Sequence, residues 1–428
     1  MSMIVSEPEF TYTIYMEKGG KRKYIFHMDG DSFFVGVEVA KNPKLRGLPV
    51  VTGEERGIVT AASYEAKALG VPRGMPIFQL RKQFPQVIIM PGDYASYADY
   101  SQRMFDIVRR YADDVEEYSI DECFADLTGL DLPLKMSYRE IVERIKKEIN
   151  EEMDLSISLG LAPTKVLAKV ASKWKKPNGL TIIDLEKKDE FLAGVPVYKL
   201  WGVGPATSQF LMKHGVNTAL EFANKSFTWV EHHLALPYVT IWRELQGISV
   251  LDIDPHQKTT YSSIQKTRTF HPATNDIPFL FSQISKHCED ACSKARHYKL
   301  VPKKVSFFLK TKEFRYVRAE INLLSPTNAP EIILPLIRTE LSKIHRPKVL
   351  YRTTGVTLHD LQSSEVTQPD LFGNTNRSGK FDVIHEQIDS LEQKFGRRVV
   401  HLGSTHSALK RKQKGTDADD LDRDLLFL

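Results

Sequence analysis

The sequence has few cysteines and no long apolar stretch. Three cysteines in 428 residues are too few for a disulfide framework and indicate a reducing compartment. Cys288 and Cys292 are one helical turn apart without a second pair, so we expect buried thiols on a helix and no zinc site. No apolar run reaches about 18 residues, and no basic stretch followed by an apolar one opens the chain, so we expect neither a membrane span nor a secretory signal.

Positive charge is concentrated in one domain-sized block. Residues 258–362 carry 18 Lys and Arg against 8 Asp and Glu, whereas residues 24–190 carry 23 against 27 and residues 363–428 carry 10 against 11. Within this block the basic residues alternate with strand-like apolar runs, which is typical of a domain that contacts a phosphate backbone. A basic surface that is merely solvated is the alternative. The candidate contact residues are Lys303, Lys304 and Arg315.

Two acidic clusters lie in apolar surroundings. Asp29 and Asp31 follow the apolar run 24–26 and precede Phe33-Phe34-Val35, and both flanks are typical of strands. Asp121 and Glu122 also lie between short strand-like runs. Because an unpaired buried carboxylate is costly, these groups require cations or water. Three carboxylates converging from two strands would form a two-Mg²⁺ site for phosphoryl or nucleotidyl transfer. Strand ends facing solvent are the alternative.

The first half of the chain alternates between strand and helix patterns. Residues 141–153 have helical apolar spacing, residues 155–160 alternate as a strand, and residues 164–174 read as a helix capped by Thr164. This alternation favours an α/β core.

A different, helical region begins near residue 195. Gly202-Val203-Gly204 precedes a predicted helix at 206–214, as in a helix-hairpin-helix, where backbone N–H groups hold a DNA phosphate. A plain tight turn between two helices has the same pattern. A linker is expected at 251–261, followed by strands and two helices between 262 and 361.

Five motifs occur in one order along the chain: HMDGDSFF at 27–34, AASYEAK at 61–67, GVPRGMP at 70–76, YSIDE at 118–122 and KKPNG at 175–179. This ordered set resembles the Y family of translesion DNA polymerases, of the DinB/UmuC type that contains bacterial polymerase IV and the catalytic subunit of polymerase V. The resemblance extends from about residue 24 to about residue 361. Features of both subgroups are present, so the choice between them stays open at this point.

The resemblance implies a multidomain protein of the α/β and α+β class, arranged as a right-hand polymerase. The expected parts are an N-terminal extension (1–23), a ferredoxin-like palm (24–37 and 95–188), small fingers (38–94), a helical thumb with the helix-hairpin-helix (189–257), an α/β little-finger DNA-binding domain (258–362) and a tail (363–428).

The resemblance also implies the roles of individual residues. Asp29, Asp121 and Glu122, with the Gly30 carbonyl, would bind two Mg²⁺ ions, and Asp31 would have a structural role. The residues expected to bind the incoming dNTP are Phe33, Phe34, Tyr64, Lys67 and Lys169. Among these, Phe34 would be the steric gate, a ring that leaves no room for a 2′-hydroxyl, and the cations would contact the triphosphate. Gly202 and Gly204 would contact DNA.

The tail carries a peptide that resembles the motif by which proteins bind bacterial sliding clamps. Its expected contact residues are Gln368, Leu371 and Phe372 within 368–372. Large apolar side chains in a polar segment are typical of such a docking peptide. The other expected partners are primer–template DNA and dNTPs, and a UmuD-like partner is left open. We expect a cytoplasmic, nucleoid-associated monomer without membrane contact.

The expected activity is template-directed, error-prone DNA synthesis past damaged bases. One alternative is another palm-fold enzyme, such as a nucleotidyl cyclase, for which the basic block and the clamp-like peptide would have no purpose. The other is a non-catalytic or partner-dependent DNA-bound scaffold. The presence of all three carboxylates together with Phe34 argues against a scaffold.

Overall fold

The described part of the chain divides into two units. The computed structural model describes residues 22–256, 261–364, 374–395 and 398–410, with the first unit ending at His256. None of the helices in these ranges is long and apolar enough to cross a membrane. The clamp-like peptide, residues 1–21 and residues 411–428 lie outside the described residues.

The first unit mixes short strands with helices. Its strands are β1 (Ile25–Gly30), β2 (Val50–Thr52), β3 (Ala61–Ala62), β4 (Ile88–Met90), β5 (Val115–Ser119), β6 (Glu122–Asp126), β7 (Ile157–Ala162) and β8 (Leu180–Ile182). Its helices are α1 (Phe33–Lys41), α2 (Tyr64–Ala68), α3 (Ile77–Gln83), α4 (Tyr94–Arg109), α5 (Asp131–Leu134), α6 (Tyr138–Met153), α7 (Lys165–Trp174), α8 (Lys188–Ala193), α9 (Pro205–Lys213), α10 (Ala219–Ala223), α11 (Phe227–His233) and α12 (Leu236–Leu245).

The larger sheet of this unit has the strand order β5-β6-β1-β7-β8. Strand β1 is its centre and pairs antiparallel with both β6 and β7. All six residues of β1 are buried, so both faces of the sheet are covered at this strand. Helix α7 contacts β1 and β7, and α6 contacts β7. The centre of the sheet is therefore rigid where β1 ends in Asp29 and Gly30.

Helix α7 begins as its sequence predicts. Thr164 is its N-cap, and the Thr164 hydroxyl accepts a hydrogen bond from the Leu167 N–H at 3.3 Å. The strand expected at 155–160 is also present, shifted by two residues to Ile157–Ala162. The strand-like interpretation of Phe33-Phe34-Val35 is wrong, because these residues open α1. Ser32, at φ 50°, turns the chain out of the sheet before them.

A smaller sheet with the order β3-β2-β4 forms the region expected to be the fingers. Its core is small and includes Val51, Ala66 and Leu80. The helices between residues 188 and 245 do not form a core separate from that of α7. Leu211 and Phe222 pack in one buried cluster with Val166 of α7. This shared core fixes the region expected to be the thumb against α7, and the predicted helix at 206–214 is present as α9.

The second unit is a four-stranded antiparallel sheet with helices. Its strands are β9 (Ser263–Thr274), β10 (Leu300–Thr311), β11 (Tyr316–Asn322) and β12 (Tyr351–Ser363), in the order β11-β10-β12-β9. Its helices are α13 (Ile277–His297), α14 (Pro330–Ile344), α15 (Asn374–Phe395) and α16 (His406–Lys410). Cys288 and Cys292 lie on α13 with no exposed surface, which confirms the expectation of buried thiols on a helix.

The segment after β12 packs back onto α13. The Arg398 guanidinium donates to Asp290 at 3.0 Å and to Glu392 at 3.1 Å. The buried Glu289 carboxylate accepts from the Leu402 N–H and from the Thr405 hydroxyl, each at 2.6 Å. Residues 398–405 are therefore a structural part of the second unit.

Candidate active site

Strand pairing brings two of the candidate carboxylates side by side. Asp29 at the end of β1 is the direct cross-strand partner of Glu122 at the start of β6, so their side chains lie on the same face of the sheet. Asp121 occupies the turn before β6, and its carbonyl accepts a 2.8 Å hydrogen bond from the Gly30 N–H. Asp29 and Asp121, which are 92 positions apart in the sequence, are thereby brought together at one end of the central strands.

The cluster holds more negative charge than its surroundings balance. Burial raises the pKa of Asp29 to about 6, because the effect of lost hydration exceeds the opposing effect of the Lys176 ammonium, and nearby Glu122 adds to the rise. Burial, followed by the charge of Asp29, raises the pKa of Asp121 as well. Carboxylates that resist ionisation in this way are stabilised by an added cation.

Two lysines partly compensate this charge. The Lys169 ammonium, on α7, donates to the Glu122 carboxylate at 2.8 Å. The Lys176 ammonium contacts the Asp29 carboxylate and lies 3.6 Å from Asp31. Glu122 and Asp29 are thus paired with different lysines, whereas the Asp121 carboxylate accepts a hydrogen bond from the Ser119 hydroxyl at 2.9 Å.

The donor set fits a hard divalent cation. Carboxylate oxygens and backbone carbonyls are the ligands that such ions prefer. Within the described ranges, however, no group of three or more His, Cys, Asp or Glu side chains is already gathered as a set of metal ligands.

Asp31 differs from the other acids because neutral donors satisfy it. The hydroxyls of Ser156 and Ser158 donate to its carboxylate at 2.8 and 2.9 Å, and the Asn178 N–H donates at 2.7 Å. These bonds tie β1 to β7 and to the segment after α7, as expected of a structural residue.

The two candidate phosphate-contacting residues of α2 face the same edge. The Tyr64 hydroxyl donates to Asp31 at 3.3 Å, and the Lys67 ammonium donates to the Ser32 hydroxyl at 2.7 Å while lying 4.2 Å from the centre of the Tyr64 ring. Burial, reinforced by Lys176, lowers the pKa of Lys67. An anion placed beside Lys67 would favour its charged form.

Phe33 and Phe34 point into different surroundings at the start of α1. Phe33 is buried in the core, whereas Phe34 is partly exposed. The Phe34 ring stacks on Tyr97, with centroids 4.4 Å apart and an interplanar angle of 11°, and meets the edge of Tyr94. The Phe34 ring is therefore held in a fixed orientation by its aromatic neighbours.

Two residues that the sequence did not single out complete the site. Lys176 contacts Asp29 from the KKPNG motif, which had been used only as a family marker. Trp201 lies 5.0 Å from the Lys169 ammonium, and its indole N–H donates to the Tyr118 hydroxyl at 3.0 Å. No local pattern indicates the Trp201 contact, because it depends on tertiary packing.

The candidate DNA-contacting glycines open α9. Gly204 is the N-cap of α9, and a Cβ built on it would meet nothing within 4 Å. Gly202 has φ +83°, and a Cβ there would come within 2.7 Å of Ile241. Gly202 therefore shapes the turn, while the surface around Gly204 leaves room for a phosphate.

The candidate basic residues lie on strand β10 of the second unit and in the turn that joins it to its partner β11. Lys303 and Lys304 are on β10, with Lys304 3.7 Å from Glu320, and Arg315 is exposed in the turn before β11. Lys310 and Arg318 lie 4.8 and 5.3 Å from the ring of Tyr316. The site residues of the first unit thus lie around one sheet edge, and the basic ones form a separate surface.

The chain is similar to known proteins over most of its length. The family model described as "impB/mucB/samB family" matches residues 28–173, and the model of that family's C-terminal domain matches residues 261–371. The chain is 31% identical to DNA polymerase IV 1 of Bacillus subtilis (strain 168) over 93% of its own length and 96% of the relative's. It is 30% identical to DNA polymerase IV of Caulobacter vibrioides, covering 91% and 96% of the two chains.

Solved structures show the same fold. A Y-family DNA polymerase chimera of Dbh and Dpo4 superposes with a TM-score of 0.66 at 24% identity, covering 79% of this chain and 99% of the other. The insertion ternary complex of Dbh DNA polymerase gives a TM-score of 0.53 at 23% identity, covering 79% and 99%. The fold expected from the sequence is confirmed. The chain belongs to the Y family of DNA polymerases, the impB/mucB/samB family, and is a translesion DNA polymerase of the polymerase IV type.

Proposed function

We propose that the protein extends primers past damaged template bases by two-Mg²⁺ nucleotidyl transfer at Asp29, Asp121 and Glu122. The observation that carries this proposal is the pairing of Asp29 with Glu122 across β1 and β6, with Asp121 in the adjoining turn. The raised pKa values of Asp29 and Asp121 support it, since burial disfavours the charged carboxylates and a bound cation would offset that effect.

The three carboxylates and the Gly30 carbonyl would hold the ions. Bound ions supply positive charge that lowers the pKa of the primer 3′-hydroxyl and neutralises the triphosphate. Lys169, with Lys67 and Tyr64, would present donors to the polyphosphate of the dNTP, and Lys176 would hold Asp29 in place.

Phe34 would select deoxynucleotides over ribonucleotides. Stacking on Tyr97 keeps the ring from rotating away, so a 2′-hydroxyl pressed against it would meet a fixed surface. In the second unit, the surface formed by β10 and β11 would contact the DNA backbone through Lys303, Lys304 and Arg315. Gly202 and Gly204 would serve the same purpose in the first unit.

We also propose that Gln368, Leu371 and Phe372 bind a sliding clamp, with a UmuD-like partner as an open question. This peptide lies outside the described residues, so its sequence alone supports the proposal. Pull-down with a bacterial clamp, compared between the wild type and a Leu371→Ala/Phe372→Ala variant, tests it. Equal capture of both would contradict it.

The polymerase mechanism is tested by primer extension with purified protein, Mg²⁺ and dNTPs. Undamaged and abasic templates are compared, with an Asp121→Ala/Glu122→Ala variant alongside. We expect distributive extension that passes the abasic site and disappears in the variant. A wild type that binds primer–template tightly without extending it, or a variant that still extends it, would contradict the assignment.

A further inference from the structure

A cavity of about 300 Å³ lies between α7 and the segment that leads from α8 into α9. Lys169 joins it to the carboxylate cluster, because the same ammonium hydrogen-bonds Glu122. The remaining lining residues are two lysines, two tryptophans and a small aliphatic group: Lys173, Lys199, Trp174, Trp201, Val170, Gly194, Val195 and Pro196. Of the lining residues, only Lys169 has a role in the proposed nucleotidyl transfer.

Two of its cations have no acidic partner in direct contact. Among residues 22–256, no carboxylate forms an ion pair or a hydrogen bond with the ammonium of Lys173 or Lys199, although Glu122 and Asp29 attract Lys173 from a greater distance. Loss of hydration in the cavity wall, reinforced by the neighbouring charge of Lys169, lowers the pKa of Lys173. An anion bound between Lys173 and Lys199 would therefore relieve charge repulsion and gain charge-assisted hydrogen bonds.

The two indoles are held in place by packing. Trp174 meets Phe191 edge-on with centroids 5.0 Å apart, and it covers Gly194, where an added Cβ would come within 2.7 Å of the ring. Trp201 leans on Phe124 with centroids 5.6 Å apart. Fixed indole surfaces suit the flat face of a nucleobase, which stacks on aromatic side chains whatever its identity.

We propose that this cavity is an accessory binding site for a nucleoside polyphosphate, separate from the polymerase site. The base would contact Trp174 and Trp201, and the phosphates would contact Lys173 and Lys199. A cavity of this size is at the lower end of those that hold small ligands. Lys169 lines the cavity and also pairs with Glu122, so a bound ligand would alter this ion pair at the carboxylate cluster. The binding itself does not depend on the proposed two-metal mechanism.

The test is calorimetric titration of the full chain with ADP, and separately with inorganic pyrophosphate, in EDTA and without DNA. We expect one ADP per chain. Replacing both lysines, Lys173→Gln/Lys199→Gln, should weaken ADP binding by at least about ten-fold, since each removes a charge-assisted hydrogen bond. Trp174→Leu should weaken ADP by about ten-fold while leaving pyrophosphate unchanged. Lys213→Gln, on the exposed side of α9, is the matched control and should have no effect.

Three outcomes would overturn the proposal. Pyrophosphate binding as tightly as ADP would show that the indole walls recognise no base. ADP binding that survives the lysine double variant but is lost in Lys67→Gln would place the nucleotide at the carboxylate cluster. Absence of ADP binding by wild type whose folding is verified by circular dichroism would also refute it.

Discussion

Lys169 hydrogen-bonds Glu122 at 2.8 Å across 47 positions of sequence. The two side chains are 5% and 14% exposed, and the Tyr118 ring lies 4.3 Å from the ammonium. A second buried pair, between Lys165 and Glu116 at 2.6 Å, lies one turn earlier on the same helix. The two pairs are similar in burial, but only the first includes a candidate catalytic carboxylate.

This similarity allows stability and catalysis to be separated. Lys169→Met and Lys165→Met should each lower the free energy of unfolding by about 3–5 kcal/mol, since each leaves a buried carboxylate unpaired. Lys169→Met should also raise the KM for dNTP by at least about ten-fold, because it removes a charge-assisted contact. Denaturant titration measures the first effect and steady-state primer extension the second. An equal rise in KM for Lys165→Met would show that the effect is merely structural.

Asp29 should make the stability of the metal-free protein depend on pH. Its folded-state pKa of about 6 exceeds the ordinary value, so the folded protein holds the proton more tightly than the unfolded chain does. The resulting stabilisation is complete below about pH 4 and is lost as the pH rises through about 6. Asp29→Asn carries no titrating group and escapes this loss.

The measurement is thermal denaturation of both proteins in EDTA. The Tm of Asp29→Asn minus that of the wild type should increase between about pH 5 and about pH 7.5. Adding Mg²⁺ at the higher pH should stabilise the wild type more than the variant, since the cation requires the carboxylate. A Tm difference that stays constant with pH would contradict a raised pKa at Asp29.

Part of this site could be predicted from the sequence, because the features that specify it lie close together along the chain. The Thr164 cap and the spacing of residues 165–174 specify α7 without tertiary information. Phe33 and Val35 were misassigned because aromatic and β-branched residues suit strands, whereas Ser32 at φ 50° starts a helix. The left-handed conformation of a serine leaves no trace in the sequence.

The contacts that join distant segments could not be predicted. Lys176 reaches Asp29 across 147 positions, and the antiparallel register of β1 and β6 decides which acid faces Asp29. The acidic clusters alone left solvent-facing strand ends as an alternative, against which only the ordered family motifs argue. No sequence pattern indicated that Trp201 contacts Lys169, because this contact depends on the packing of the α8–α9 segment on α7.

Phe34 should determine discrimination against ribonucleotides. Phe34→Ala removes the ring, so incorporation efficiency for rNTPs relative to dNTPs should rise by about ten- to a hundredfold, the cost of a steric clash of about 1–3 kcal/mol. Single-nucleotide insertion kinetics with each sugar measure this ratio. Tyr97→Phe is the control, since it keeps the stacked ring and loses only the hydroxyl bond to Glu38. An unchanged ratio in Phe34→Ala would assign the gate to another residue.

The segment after β12 should stabilise the second unit. Arg398, whose side chain is 9% exposed, pairs with Asp290 and Glu392, so Arg398→Met should destabilise α13 by about 3–5 kcal/mol. Hydrogen exchange of the amides in residues 277–297 measures this. Arg139→Met breaks an exposed pair with Glu143 and should cost less than about 1 kcal/mol. Equal protection of α13 in the wild type and Arg398→Met would show that the segment contributes nothing.

The surface of β10 and β11 should account for the salt dependence of DNA binding. Lys310 and Arg318 lie beside the Tyr316 ring, where each would neutralise a backbone phosphate and release the counterions condensed on the DNA. The slope of log Kobs against log salt concentration is negative. Lys310→Gln/Arg318→Gln should therefore reduce its magnitude by about 2, nearly one for each lost phosphate contact. Fluorescence anisotropy of labelled primer–template at several salt concentrations gives the slope. Lys343→Gln, on α14 and paired with Glu340, should leave it unchanged. A double variant with weaker binding but the wild-type slope would mean that these residues support the fold and do not contact phosphates.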